Sequence, residues 1–166
     1  MAEQIESLLR LLDRLLLKYT ELLDVARGLQ EALIKNDLVA FEEFLKKEHL
    51  LLSEVGKLEE ERLPALQGLA SRFSVSPEEL SVSKLATLVP DEFRLALTGF
   101  QAAMAQVLTD LKEVNACNAD LLQQVVEYIA FSFNVITGLS SQHNYSGSGG
   151  EQSVNPEKAR IFDRKI

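Results

Sequence analysis

Apolar residues recur at alternating steps of three and four along almost the whole body of this chain, a period that commits it to helices burying one face against another. In the first run Ile5, Leu8, Leu12, Leu15, Tyr19, Leu22, Ala26, Leu29 and Leu33 form an unbroken seam, widened by Leu9, Leu16 and Leu23. The second carries Phe41, Phe44, Leu45, Leu51, Leu52, Val55, Leu58, Leu66 and Leu69. The third and longest holds Phe93, Leu97, Phe100, Met104, Val107, Leu111, Val114, Leu121, Val125, Tyr128, Val135 and Leu139, interrupted only by Asn118 and Ser132. From residue 122 a further stripe runs beside this seam, Leu122, Val126, Ile129, Phe133 and Ile136, at the same spacing. One stripe builds a bundle seam, whereas two on one helix need something further to cover them.

The punctuation between runs sets the boundaries. The first helix is expected from about Glu3 to Lys35, followed by a tight Asn36-Asp37 turn in which the Asp37 carboxylate caps the next helix. Two long seams and a short connection make an antiparallel hairpin. Pro64 falls inside the second run and is expected to kink it or divide it in two. In the connector from Arg72 to Pro90, Ser76-Pro77-Glu78-Glu79 reads as N-cap, N1 proline and capping-box glutamate ahead of a helical turn, and residues 83–88 as one more short helix. The third helix opens at Pro90-Asp91-Glu92 and is expected to reach about Ser140, roughly 50 residues and roughly 75 Å at 1.5 Å per residue. Its partners, at roughly 34 residues, span only about 50 Å, so its C-terminal third should overhang them. The expected fold is all-α: an antiparallel bundle of three long helices with a short helical connector over residues 1–140, then a flexible C-terminal recognition tail over 141–166. That tail passes from the Ser/Gly/Asn-rich stretch 140–150 into a basic end with Ile161, Phe162 and Ile166.

Charge narrows the partners. The net charge is −8, and the tail from Ser141 onward holds Lys158, Arg160, Arg164 and Lys165 against Glu151, Glu157 and Asp163. The body is therefore more acidic than the whole, and it repels phosphate backbones and anionic lipid. Neither nucleic acid nor membrane insertion is expected. The opening Met1–Glu6 is acidic where a signal peptide needs positive charge, and the uncharged stretch after Tyr128 turns polar too soon to span a bilayer. The lone Cys117 is compatible with a reducing compartment, so the expected location is cytoplasmic.

Catalytic readings fail on the residues. A carboxylate-bridged di-iron bundle needs Glu-x-x-His on facing helices, but Lys46 stands three before His49, and His143 lies in the linker. Phosphotransfer on His49 would need room and a nearby lysine; Leu50, Leu51 and Leu52 follow it instead. Cys117 has no basic neighbourhood and reads as a packed small residue, Glu59-Glu60-Glu61 as a solvated helix face, and Tyr128 as core with its hydroxyl at a polar edge. Asn118 is open to two roles, a ligand contact or the fixing of helix register. No catalytic residue, metal site or cofactor is expected.

Helix-in-groove recognition uses apolar anchors at i, i+3, i+4 and i+7, which the stripe Leu122, Val126, Ile129, Phe133 and Ile136 supplies. A partner helix, an internal cover such as residues 83–88 or 157–166, or a second copy of the chain would each satisfy it. The Asn36-Asp37-Leu38 turn, a charged second helix ending Leu58-Glu59-Glu60-Glu61-Arg62, and Ser83-Lys84-Leu85 follow one another in a suggestive order. So do Asn118-Ala119-Asp120-Leu121-Leu122 running into Val125-Val126-Glu127-Tyr128-Ile129, and then Tyr145-Ser146-Gly147. Over about residues 3–150 this order resembles the FlgN family of flagellar export chaperones. The resemblance implies a cytoplasmic protein that binds hook-associated (hook–filament junction) subunits, keeps their terminal helices from assembling early and delivers them to the type III export gate. On that reading the five-residue stripe is the cargo groove, inferred from its periodicity, and Tyr145, which matches a family tyrosine, contacts the gate. The alternative is a structural or regulatory coiled-coil protein that self-associates through the same surface.

Overall fold

Four helices make up all the secondary structure among the residues that the computed structural model describes, 2–76 and 80–137: α1 (Ala2–Lys35), α2 (Leu38–Phe73), α3 (Val82–Leu88) and α4 (Asp91–Ile136). The helical turn expected at residues 77–79, the domain boundary after residue 140 and the tail with Tyr145 lie outside the described residues. The chain divides into two units, Met1–Glu127 and Tyr128–Ile166.

The turn after α1 is closed from both sides. Asn36 takes a left-handed φ of 54°, which its short polar side chain tolerates. The Asn36 and Asp37 amides then reach back to the Leu33 and Ala32 carbonyls at 3.1 and 2.9 Å. These bonds satisfy carbonyls that the end of a helix would otherwise orphan. Asp37 caps α2, its carboxylate accepting from the Ala40 amide at 3.0 Å. Ser81 does the same for α3, accepting from the Lys84 amide at 3.1 Å.

Pairings between α1 and α2 fall in one number as they rise in the other, so these two helices are antiparallel. Arg14 meets Glu61 at 3.5 Å, Lys18 meets Glu54 at 3.0 Å, and Gly28 lies against Phe44. Lys18 also donates to Glu21 at 2.7 Å, and this bond, then the one to Glu54, raises its pKa above the ordinary lysine value. The seam of α1 is buried as expected at Ile5, Leu8, Leu12, Leu15, Leu22, Ala26 and Leu29. Its widening differs: Leu9 and Leu16 are only half-buried, whereas Leu11, Val25 and Ala32 are buried, on the face that also carries Lys18 and meets α2. Pro64 does not divide α2, which runs unbroken to Phe73. Pro64 and Glu60 are both exposed, so the Glu60 carbonyl that loses its i+4 donor faces water.

At Gly28 the neighbouring Phe44 ring leaves no room for a side chain. A Cβ there would run into the ring of Phe44, over which Lys47 Nζ sits 5.0 Å from the centroid. Gly28→Val is expected to cost about 2 kcal/mol net, because overpacking of ~1–3 kcal/mol exceeds the few tenths that valine gains over glycine in a helix. Urea unfolding checks this; a midpoint equal to wild type would mean that Phe44 swings clear without loss.

Clefts define the path of α4. Leu12, Leu15 and Tyr19 share one with Phe100, Met104 and Leu108, while Ala32 and Leu33 share another with Leu122 and Val125. Rising numbers in α1 thus meet rising numbers in α4, and the two run in the same direction. At its start α4 is tied to α3: Arg94 Nε donates to the Ala86 carbonyl at 3.2 Å and Gln101 Nε2 to Ser83 Oγ at 2.6 Å. Leu80, Leu85, Ala86, Val89 and Leu97 close this end of the core. Further along, α4 is covered thinly. Of its 46 residues only Leu97 and Asn118 are buried, and the seam positions Phe93, Phe100, Met104, Val107, Leu111, Val114 and Leu121 are half-buried.

Candidate functional site

The sequence places two acids, Asp91 and Glu92, in the first turn of α4, where the helix dipole favours them, and puts no proline inside the helix. Thr137 N and Oγ1 donate to the Phe133 carbonyl at 2.9 and 2.8 Å. Leu122 and Val126 belong to the unit ending at Glu127, and Ile129, Phe133 and Ile136 to the one beginning at Tyr128. All five are exposed, from 39% at Leu122 to 83% at Ile136. Of the two segments expected as possible covers, α3 makes its polar contacts with Arg94 and Gln101, and residues 157–166 lie outside the described residues.

More apolar surface is open here than the second stripe alone. Val125, Tyr128 and Val135, expected in the seam, are exposed, and so is Phe131, which lies on neither stripe. Tyr128 is therefore not core. Cys117, expected to be packed, is also exposed. No basic residue occurs from Glu113 to Thr137, where the charges are Glu113, Asp120 and Glu127. Gln123 Nε2 donates to Glu127 Oε1 at 2.9 Å.

A second open region was not legible from periodicity. At the corner between α1 and α2, Ile34, Leu38 and Val39 are 68–71% exposed. The signal was present as Leu33-Ile34 and Leu38-Val39, apolar pairs on either side of the turn, of which only Leu33 belongs to a seam.

Asn118 sits where α4 meets α1. Its Nδ2 donates to the Ala26 carbonyl at 2.8 Å, while its buried Oδ1 has no partner. A contact from one side chain to a single backbone carbonyl of the facing helix fixes register, the structural one of its two expected roles. Tyr19 lines the cleft beside the Glu59–Arg62 ion pair at 2.6 Å; burial first and Glu59 second push its phenol pKa up, and Arg62 opposes them. Among the described residues no group of three His, Cys, Asp or Glu side chains is placed to hold a metal ion, and no helix is long and apolar enough to cross a membrane.

Among the described residues fold and surface define a class: helices throughout, the longest of them ending in exposed apolar side chains. Within that class the chain belongs to the FlgN family, whose model, described as FlgN protein, matches residues 1–153. This is a family of flagellar export chaperones and not of enzymes. The chain is similar to the uncharacterized protein YvyG of Bacillus subtilis (strain 168), with 23% identity over 160 residues, 96% of this chain and 98% of that protein. No solved structure matches.

Proposed function

We propose that this chain is a cytoplasmic type III export chaperone that binds the terminal helices of hook–filament junction proteins, prevents their premature assembly and delivers them to the export gate. The observation that carries the reading is the exposed apolar stripe Leu122, Val126, Ile129, Phe133 and Ile136 in a chain of this family. We read the three long helices as one antiparallel bundle within residues 1–140. Residues 141–166 serve as a recognition tail in which Tyr145 contacts the gate.

The mechanism needs no nucleotide. Assembly-prone subunit termini are amphipathic, and a matching apolar face hides them from one another. The five side chains are 39–83% exposed, so at ~1.5–3 kcal/mol for a fully exposed one their burial yields a gross gain of about 4–9 kcal/mol. Ordering of the cargo helix offsets a large part of that. What is left favours a reversible complex, one that can hold a subunit and still release it.

Light scattering coupled to size exclusion tests this on the full chain, alone and with a C-terminal fragment of a hook–filament junction protein from the same organism. A free monomer that forms a 1:1 complex is expected. A stable homodimer indifferent to the fragment would replace the chaperone reading with the self-associating coiled-coil protein.

A further inference from the structure

We infer that the corner between α1 and α2 is a second cargo contact, which takes a basic-flanked amphipathic helix of the partner; the inference rests on the chaperone reading. Leu33, Leu38 and Phe41 face Leu122 and Val125 across an apolar cleft of about 110 Å³. Leu122 is thus shared between the cleft and the proposed cargo stripe. The cleft is below the ~300–1,000 Å³ of a small-molecule site, and its size suits one bulky apolar side chain. Anchor residues of helical ligands enter small desolvated pockets of this kind. Ile34 and Val39 stand exposed at the same corner. Large side chains left in water on both sides of a two-residue turn do nothing for the hairpin itself.

Charge decides the occupant. Asp37 lines the cleft and Glu42 stands one turn past Leu38 on α2, and among the described residues neither is in an ion pair. Lys35, the base nearest the turn, is held by Glu31 at 3.0 Å. The next bases along α2 are Lys46 and Lys47, two turns or more past Leu38, and α4 has none from Glu113 onward. A ligand helix with lysine or arginine beside its anchors meets unpaired carboxylates there. A second copy would instead set the same carboxylates against one another, which disfavours a homodimer through this face.

The test is calorimetric titration of the full chain with two probes: the junction-protein fragment, and a synthetic amphipathic helix with leucine anchors made with either lysine or glutamate flanks. Leu38→Asp is the main variant. Leu38 is 69% exposed, and an acid in the first turn of a helix is favourable, so the variant folds. The lysine-flanked peptide is expected to bind wild type at least tenfold tighter than its glutamate twin. Leu38→Asp should weaken both that peptide and the fragment at least tenfold, and Glu42→Lys should narrow the difference between the two peptides. If Leu38→Asp leaves fragment affinity unchanged while Phe133→Asp destroys it, the corner proposal falls and the chaperone reading stands. If the lysine-flanked peptide binds in a Leu38-dependent way and the fragment does not bind at all, the chaperone reading falls and the corner stands as a surface for basic helices. Failure of both probes overturns both, and a dimer dispersed by Leu38→Asp makes a second copy the occupant.

Discussion

Phe133→Asp is expected to abolish binding of the junction-protein fragment and to leave the fold as it was. Phe133 is 55% exposed and Thr137 closes the helix one turn later through backbone and hydroxyl bonds, so the free protein loses little with the ring. Exposed substitutions of this kind move stability by about 0.5 kcal/mol or less. A carboxylate near a helix C-terminus adds a penalty of only ~0.3–1 kcal/mol. In the complex both losses are larger. The ring's transfer free energy, ~1.5–3 kcal/mol, disappears, and a carboxylate is trapped against apolar cargo at a cost of several kcal/mol more. Together these exceed about 4 kcal/mol, or roughly a thousandfold in affinity. Ile129→Asp should behave alike, whereas Phe133→Ala, which introduces no charge, should lose only about tenfold to a hundredfold. Far-UV circular dichroism and thermal melting verify the fold; titration with the fragment reads the loss. Wild-type affinity in both aspartate variants would place the cargo groove elsewhere.

Period and punctuation made the helices legible, and their neighbours decided what the periods conceal. The seam of α1 could be read because Leu8, Leu12, Leu15 and Leu29 repeat without interruption, and all four are buried. The Asp37 cap was legible because an acid after asparagine, ahead of an apolar run, satisfies free amides whatever packs beyond it. Of the two outcomes expected at Pro64, a kink or a division, division does not occur, since a proline ends a helix only where the freed carbonyl lacks another partner, and exposure is a tertiary property. The same holds for α4. Its seam residues repeat as regularly as those of α1, but periodicity reports which face turns inward and says nothing of how closely another helix approaches. Hence Phe100, Met104 and Leu111 are half-buried, and Tyr128 and Val135 are exposed. The exposure of the five stripe residues was legible because a second stripe has no place in a bundle of this size. The corner residues Ile34, Leu38 and Val39 were not, because two apolar residues on either side of a turn carry no period.

The largest expected loss of stability lies at Asn118, where one atom separates a register device from a buried charge. In the native protein Nδ2 donates to the Ala26 carbonyl at 2.8 Å, inside a contact that leaves the residue 7% exposed. Asn118→Asp keeps the shape, removes the donor and aims a carboxylate at a carbonyl oxygen. Arg27, the base next to Ala26, already faces Asp24 at 3.7 Å and Asp110 at 3.8 Å, so it offers little compensation. An uncompensated buried charge costs about 3–5 kcal/mol, enough to release α4 from α1 or to unfold the domain. The pH dependence identifies the cause. Burial raises the folded-state pKa of the new carboxyl above its unfolded value of about 4, so the variant recovers stability as pH falls below that value and loses it as pH rises through the folded pKa. Once protonated, the carboxyl can again donate to Ala26. Melting at pH 7 and pH 4 should therefore show a deficit that shrinks with acid relative to wild type. A constant deficit would point to packing, and no deficit at either pH would mean that α4 does not rest on α1 at this point. Asn118→Leu separates stability from register. It removes the orphaned Oδ1 along with the bond, so by hydrogen-bond energetics it is neutral or stabilising. But it deletes the polar contact that specifies one alignment of α4 along a leucine-rich neighbour. Doubled amide resonances from residues 107–121 in a protein that melts no lower than wild type would show that Asn118 is kept for alignment at a cost in stability.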